Sequence, residues 1–369
     1  MAGDQIESKV IRHAMRSLRL LVVAFPLALM ASGASLDSPD ALAEAGHWKR
    51  LREFVETRAA AGPQNPELAY WMSRVKMAFG NLDGALKMAQ QAADLDPNNS
   101  DFHFQLAAVN GRMAERASMF AAGFLARKFT KGLEKALSLN PKNLDALEAQ
   151  MEYDYQAPSL MGGDKNKAWA VTEEITRLSP VRGNLAKAEL AVKEKDAPKA
   201  EGFYLQAVEA DPKSYNAHVA LAAFYNSPSR NSHELALKYA REALQLDAGR
   251  VTAYSIAAKT LALDGRWAEL DSILAEAERR VPDDLDPFYQ ASEALLDSGK
   301  ELTRTEAWLR KYLSQEPEGE APDAAHAHRL LGLVLEKRGR EAEARAEFET
   351  AIHLKPGFKE AKRDLEILK

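Results

Sequence analysis

The 369-residue chain contains no cysteine. Disulfides, thiolate metal ligands and a thiol nucleophile are therefore excluded, as is the acylated cysteine that would anchor a lipoprotein. An excess of either charge is also missing. Forty-nine basic against 54 acidic side chains give a net charge of −5, and no basic stripe or aromatic RNA-binding motif is present, so nucleic acid is not the expected partner. Strand-like alternation persists nowhere. No serine sits in a G-x-S-x-G elbow, and no glycine-rich loop has the G-x-x-x-x-G-K-[ST] spacing after a strand that cradles phosphates. The composition, 46% hydrophobic and 28% charged, is nevertheless that of a folded protein.

The first segment stands apart from the rest. Lys9, Arg12, Arg16 and Arg19 precede the apolar run Leu20–Met30, and small residues follow, with Ser32 three positions before a cut after Ala34. This is the order of a secretory signal peptide. Residues 1–34 read as that peptide, with Met15 an alternative start to Met1, and the protein as exported and periplasmic. The alternative is an uncleaved N-terminal anchor, although eleven residues containing Pro26 are short for ~30 Å of hydrocarbon. Removing four basic and two acidic side chains with this segment takes the net charge from −5 to −7.

From residue 37 onward the pattern is helical: Ala, Leu, Glu, Lys and Arg dominate, and apolar residues recur every three or four. Segments end at Pro63, Pro97, Pro141, Pro180, Pro212, Pro282, Pro317 and Pro356, with Ala248 filling the one gap. The spacings run from 32 to 44 residues and centre near 34. That period signifies a solenoid of helix pairs. In the last unit, Ala351, Phe348, Ala344, Gly339 and Gly332 lie 5, 8, 12, 17 and 24 residues before Pro356. The same offsets before Pro97 give Ala92, Ala89, Ala85, Gly80 and Ser73. Before Pro212 they include Ala207, Ala200 and Lys195, and before Pro282 Ala277, Leu270 and Gly265. Small residues such as Gly332 and Ala344 let two antiparallel helices approach closely, and Gly339 supplies a left-handed turn between them. Phe348 is expected to fill space against the neighbouring pair.

Leu331, Gly332, Leu335, Gly339, Ala344, Phe348, Ala351 and Pro356 resemble the tetratricopeptide repeat signature. The resemblance implies an all-α, right-handed solenoid of antiparallel helix pairs. It covers a partial unit at 35–65, carried by Gly46, Trp48 and Leu51, and about eight units over 66–357, followed by a solvating cap helix at 358–369. Within this frame "SLMGGDKNKAW" is no phosphate loop. Ala168 and Gly163 lie 12 and 17 residues before Pro180, so the stretch is an interhelical turn enlarged over 157–164, with Asp164 capping the next helix and Gly163 in a left-handed conformation.

Remaining candidates are few. His326 and His328 are two residues apart and project to different sides of a helix, whereas a shared metal needs three or four. No metal, cofactor or catalytic activity is expected. The unit over 98–141 is about ten residues too long. Its Arg112, Arg116, Arg127, Lys128, Lys131 and Lys135, against Glu115 and Glu134 and with Met119, Phe120, Phe124 and Phe129, read either as a basic amphipathic helix touching a membrane or partner, or as a lengthened pair packed through Ala121, Ala122 and Gly123 with a solvated charged face. The resemblance implies that the first helices of the units line a concave groove. Asp145, Glu148, Glu152 and Tyr155 then form an acidic stripe, with Tyr70 and Arg74 on an earlier helix and Arg329 on a later one; exposed charge of this kind also occurs as a merely solvated face. The lysine and asparagine pattern of repeat proteins that clamp chaperone C-termini is not matched. The expected function is a non-catalytic protein-binding scaffold of the cell envelope. The alternative is a ligand-binding accessory subunit of a periplasmic solute transporter, suggested by the "GGDKNKA" turn.

Overall fold

A computed structural model describes residues 38–59, 65–296 and 299–368. The expected signal peptide and Pro63 lie outside these residues. Among the described residues there are nineteen α-helices and no strand. Two of them, α1 (Pro39–Ala45) and α2 (Trp48–Ala59), precede eight antiparallel pairs. The pairs are α3 (Pro66–Ala78) with α4 (Leu82–Leu95), α5 (Ser100–Arg116) with α6 (Met119–Leu139), α7 (Leu144–Gln156) with α8 (Lys165–Leu178), and α9 (Pro180–Lys193) with α10 (Ala197–Ala210). Then follow α11 (Tyr215–Asn226) with α12 (His233–Leu246), α13 (Val251–Asp264) with α14 (Trp267–Arg280), α15 (Asp286–Leu296) with α16 (Leu302–Tyr312), and α17 (Ala324–Lys337) with α18 (Glu341–Leu354). A final helix, α19 (Lys359–Ile367), closes the series by burying Ala361 beside Phe358, Ala325 and Ala351. The chain divides into two compact units, residues 1–212 and 213–369.

The packing follows the sequence period. Residues 12, 8 and 5 positions before each segment end are buried in all eight second helices, with the half-buried Tyr204 as the exception. Ala85, Ala168, Ala200, Ala236 and Ala344 occupy the first of these positions with no exposed surface. The Phe348 ring lies directly on Gly332, so a Cβ at 332 would overlap it. This contact is made inside its own pair, and Phe348 belongs to the same buried cluster as Leu309 and Tyr312 of the preceding pair. Gly80, Gly265 and Gly339 all take the left-handed turn conformation, and Lys195 takes it at the equivalent position. Side-chain oxygens of Asn65, Asn81, Asn143, Asp196 and Asp323 cap the following helices.

The long pair packs differently from expectation. Ala122 is buried as expected, but Ala121 is exposed and Gly123 faces open space. The close approach instead lies deeper, where Gly111 meets Phe129 and Gly132 meets Ala107.

The enlarged turn is ordered by its own hydrogen bonds. A 3₁₀ turn spans Ser159–Met161, the Tyr153 hydroxyl donates to the Met161 carbonyl at 2.6 Å, and the Asp164 amide donates to the Asp154 carbonyl at 2.7 Å. Asp164 caps α8, accepting from the Asn166 and Lys167 amides. The left-handed residue is Gly162, at φ +94°, and not Gly163. Gly163 is required for a different reason: a Cβ there would overlap the Ala157 carbonyl. The two glycines should therefore respond differently to alanine. Gly162→Ala has open space and should cost ~1–2 kcal/mol of conformational strain. Gly163→Ala forces backbone apart and should cost ~3 kcal/mol. Denaturant unfolding measures both, and equal losses would contradict this account of the turn.

Candidate functional site

First helices of successive pairs lie side by side in unit 1, and their polar side chains meet across that face. On α3, the Arg74 guanidinium lies 4.9 Å from the Trp71 ring, 5.7 Å from Trp48 and 5.8 Å from Tyr70, and donates to the Tyr70 hydroxyl at 3.3 Å. Both residues are thus engaged in the fold. On α7, Asp145 and Glu148 do not project as bare negative charge. Arg182 of α9 reaches both, with Nη2 2.6 Å from Asp145 and Nε 2.7 Å from Glu148. Lys193 of α9 likewise bridges Glu152, at 3.2 Å, and Glu189, at 3.1 Å. Gln156 donates a further hydrogen bond to Glu152. Tyr155 holds Lys165 Nζ 4.7 Å from its ring. The acidic stripe is real as a helix face, but it is answered by cations one unit further along the chain. Arg329 belongs to unit 2 and pairs with Asp364 of α19 at 2.6 Å.

The pairing is uneven. Four carboxylates, Asp145, Glu148, Glu152 and Glu189, share Arg182 and Lys193. Burial then works against ionisation. Desolvation, opposed by Arg182, pushes Glu148 up to about 6. Desolvation and the nearby Glu189 charge raise Glu152, against Lys193. Glu115, at the end of α5, is pushed up to about 7 by burial, with the Glu152 charge contributing and Arg112 and Arg116 opposing. Asp101 of α5, bonded to Asn143, is also raised by burial and by Asp145. Around α7 and α9, burial thus holds several of these carboxylates toward the neutral form although cations stand beside them. Taken one helix at a time, Arg182, Glu189 and Lys193 carry no mark in the sequence as members of this face, and Glu115 reads there only as a counter-charge of the long unit. A signal did exist: Arg182 lies 34 residues after Glu148 and 37 after Asp145, about one repeat.

Among the described residues no group of three His, Cys, Asp or Glu side chains is arranged to hold a metal. The two histidines have separate partners, His326 bonding Asp323 at 2.6 Å and His328 bonding Glu347 of α18 at 2.6 Å. No described helix is long and apolar enough to cross a membrane.

Comparison with solved structures places the architecture. Yeast Tom70 aligns with 90% of this chain over 88% of its own, at 13% identity and a TM-score of 0.50. A thermophilic tetratricopeptide repeat protein of Thermus thermophilus covers 51% of this chain and 96% of its own, at 20% identity and a TM-score of 0.45. A tetratricopeptide repeat protein from Parabacteroides merdae covers 82% and 98%, at 17% identity and a TM-score of 0.42. The fold is the tetratricopeptide repeat fold. At these identities the likeness extends to the solenoid of helix pairs and not to any site of the repeat array. No protein-family model matches the sequence, and a search of the curated proteins returns no match.

The raised carboxylates carry a stability consequence. Between their folded values and the ordinary 4.5, the folded chain holds more protons at Glu115 and Glu148 than the unfolded chain does. Stability contributed here therefore rises as pH falls through that window. Glu269, Glu306 and Glu343 of unit 2 are shifted downward by their arginine partners and act only at lower pH. The unfolding midpoint should rise as pH is lowered from about 7.5 to about 5, and the rise should shrink in Glu115→Gln. A midpoint that falls across this window, or a Glu115→Gln profile parallel to wild type, would contradict the assignment.

Proposed function

We propose that the protein is a non-catalytic scaffold that binds a protein partner on the first-helix face of unit 1, around α7 and α9. The observation that carries this reading is the shared use of two cations by four partly desolvated carboxylates. A lysine or arginine side chain from an extended partner segment would supply further positive charge without disturbing the helix packing. The tetratricopeptide repeat fold supports the reading, because stacked helix pairs present a long continuous face. Export to the cell envelope belongs to the same proposal and rests on the charged, apolar, small-residue order of residues 1–34.

The test is photocrosslinking in the native host, with the protein made behind its own N-terminal segment. One photoreactive residue replaces Glu189 on α9, a half-exposed position on the proposed face, and another replaces the exposed Glu209 on α10. The first position should capture a protein that the second does not, and capture should weaken with salt, since exposed charges are screened beyond ~10 Å at 0.1 M. Capture of the same proteins from both positions would remove the case for this face. Recovery of the chain in the cytosol with Met1 or Met15 intact would remove the export part alone.

A further inference from the structure

Helix α6 presents a surface that the scaffold reading leaves unused. Ala122, Ala126, Phe129, Leu133 and Ala136 form its buried side. The opposite side, at helical spacing, carries Phe120, Phe124, Arg127, Lys128, Lys131, Glu134 and Lys135, all exposed. Phe120 is 88% exposed and Phe124 60%, and among the described residues no other aromatic side chain is exposed to this degree. Across an open cleft of about 820 Å³ stands Leu160, 90% exposed at the tip of the enlarged turn. Burying any of these three would remove apolar area from water at ~25 cal/mol per Å². No described residue does so.

Charge around these apolar tips is one-sided. The exposed face of α6 has four cations to one carboxylate, Glu134, and the exposed Lys165 and Lys167 stand beyond the turn that carries Leu160. Asp154 also borders the cleft but is buried. Lys128 Nζ lies 4.8 Å from the Phe124 ring, so the cation accompanies the aromatic to the surface. This contrasts with the net charge of −5 for the whole chain. Apolar side chains projecting beside lysine and arginine match the boundary between acyl chains and anionic headgroups. They do not match a basic or neutral protein surface. We propose that this face is a peripheral docking site for a bilayer containing anionic lipid, with Phe120, Phe124 and Leu160 entering the interface and Arg127, Lys128 and Lys131 meeting headgroups.

Vesicle co-sedimentation tests the site. The chain beginning at Ser35 is used, because it holds every described helix and lacks the apolar run Leu20–Met30, so that binding reports on α6 and the turn alone. It should sediment with phosphatidylcholine–phosphatidylglycerol vesicles and not with pure phosphatidylcholine, and salt should reduce binding. Lys128→Glu with Lys131→Glu should weaken binding roughly 30-fold or more, at the ~1 kcal/mol expected per basic residue near an anionic surface. Phe120→Ser, Phe124→Ser and Leu160→Ser combined should weaken it at least about tenfold. All five positions are exposed, so circular dichroism should show unchanged helicity. Equal sedimentation with both vesicle types, or unchanged binding in either variant, would overturn the proposal. So would a wild type that ignores vesicles but loses a copurifying protein when the three apolar residues are replaced.

Discussion

The closeness of two antiparallel helices, set by alanine and glycine where they cross, is the constraint on which the rest of the structure depends. Ala344 has no exposed surface, and the Phe348 ring occupies the place where Gly332 has no side chain. Ala85, Ala168, Ala200 and Ala236 repeat the first arrangement in other pairs. Once each pair has this separation, neighbouring pairs stack with a fixed offset along the chain. Polar contacts between pairs then recur at one repeat length: Lys259 with Glu293 and Arg340 with Glu306 at 34 residues, Arg304 with Asp271 at 33, and Arg329 with Asp364 at 35. Helix capping and turn residues set where each helix starts, but helix–helix distance sets which side chains meet.

Two kinds of electrostatics result. Between second helices the pairs are matched and exposed, as for Arg241 with Glu269 and Lys311 with Glu278. Such pairs contribute ~0–1 kcal/mol each and add little beyond solubility. On the first-helix face of unit 1 the Arg182 cation is buried and divided between two carboxylates, and desolvation raises Glu148 despite it. Removing one partner from a set of this kind costs ~3–5 kcal/mol, because the remaining charges stay buried. Structure and binding capacity are therefore joined at the same residues. The ions that hold α7 to α9 are also the ones that a partner on that face would meet.

The fold was legible in the sequence because small residues and segment ends repeat at a period set by helix geometry. Asp164 as a cap was legible for the same local reason. The site was less so. Helical spacing placed Asp145, Glu148 and Glu152 on one face, yet said nothing about Arg182, which is brought there by stacking of the next pair. Tyr70, Arg74 and Arg329 look like groove residues when read one helix at a time. In the structure Arg74 is surrounded by Trp48 and Trp71, and Arg329 serves the cap helix. At the enlarged turn the glycine pair was visible, but which glycine turns the chain and which makes room for Ala157 depends on a three-residue 3₁₀ turn without a sequence period.

Burial and the neighbouring Glu189 charge hold Glu152 toward its neutral form on the first-helix face. Carbon-13 NMR titration of the Glu152 side-chain carboxyl tests it most directly. The expected midpoint lies well above the ordinary 4.5 and moves down in Glu189→Gln because one repelling charge is gone. A Glu152 midpoint at the ordinary value, or one unmoved by Glu189→Gln, would contradict it.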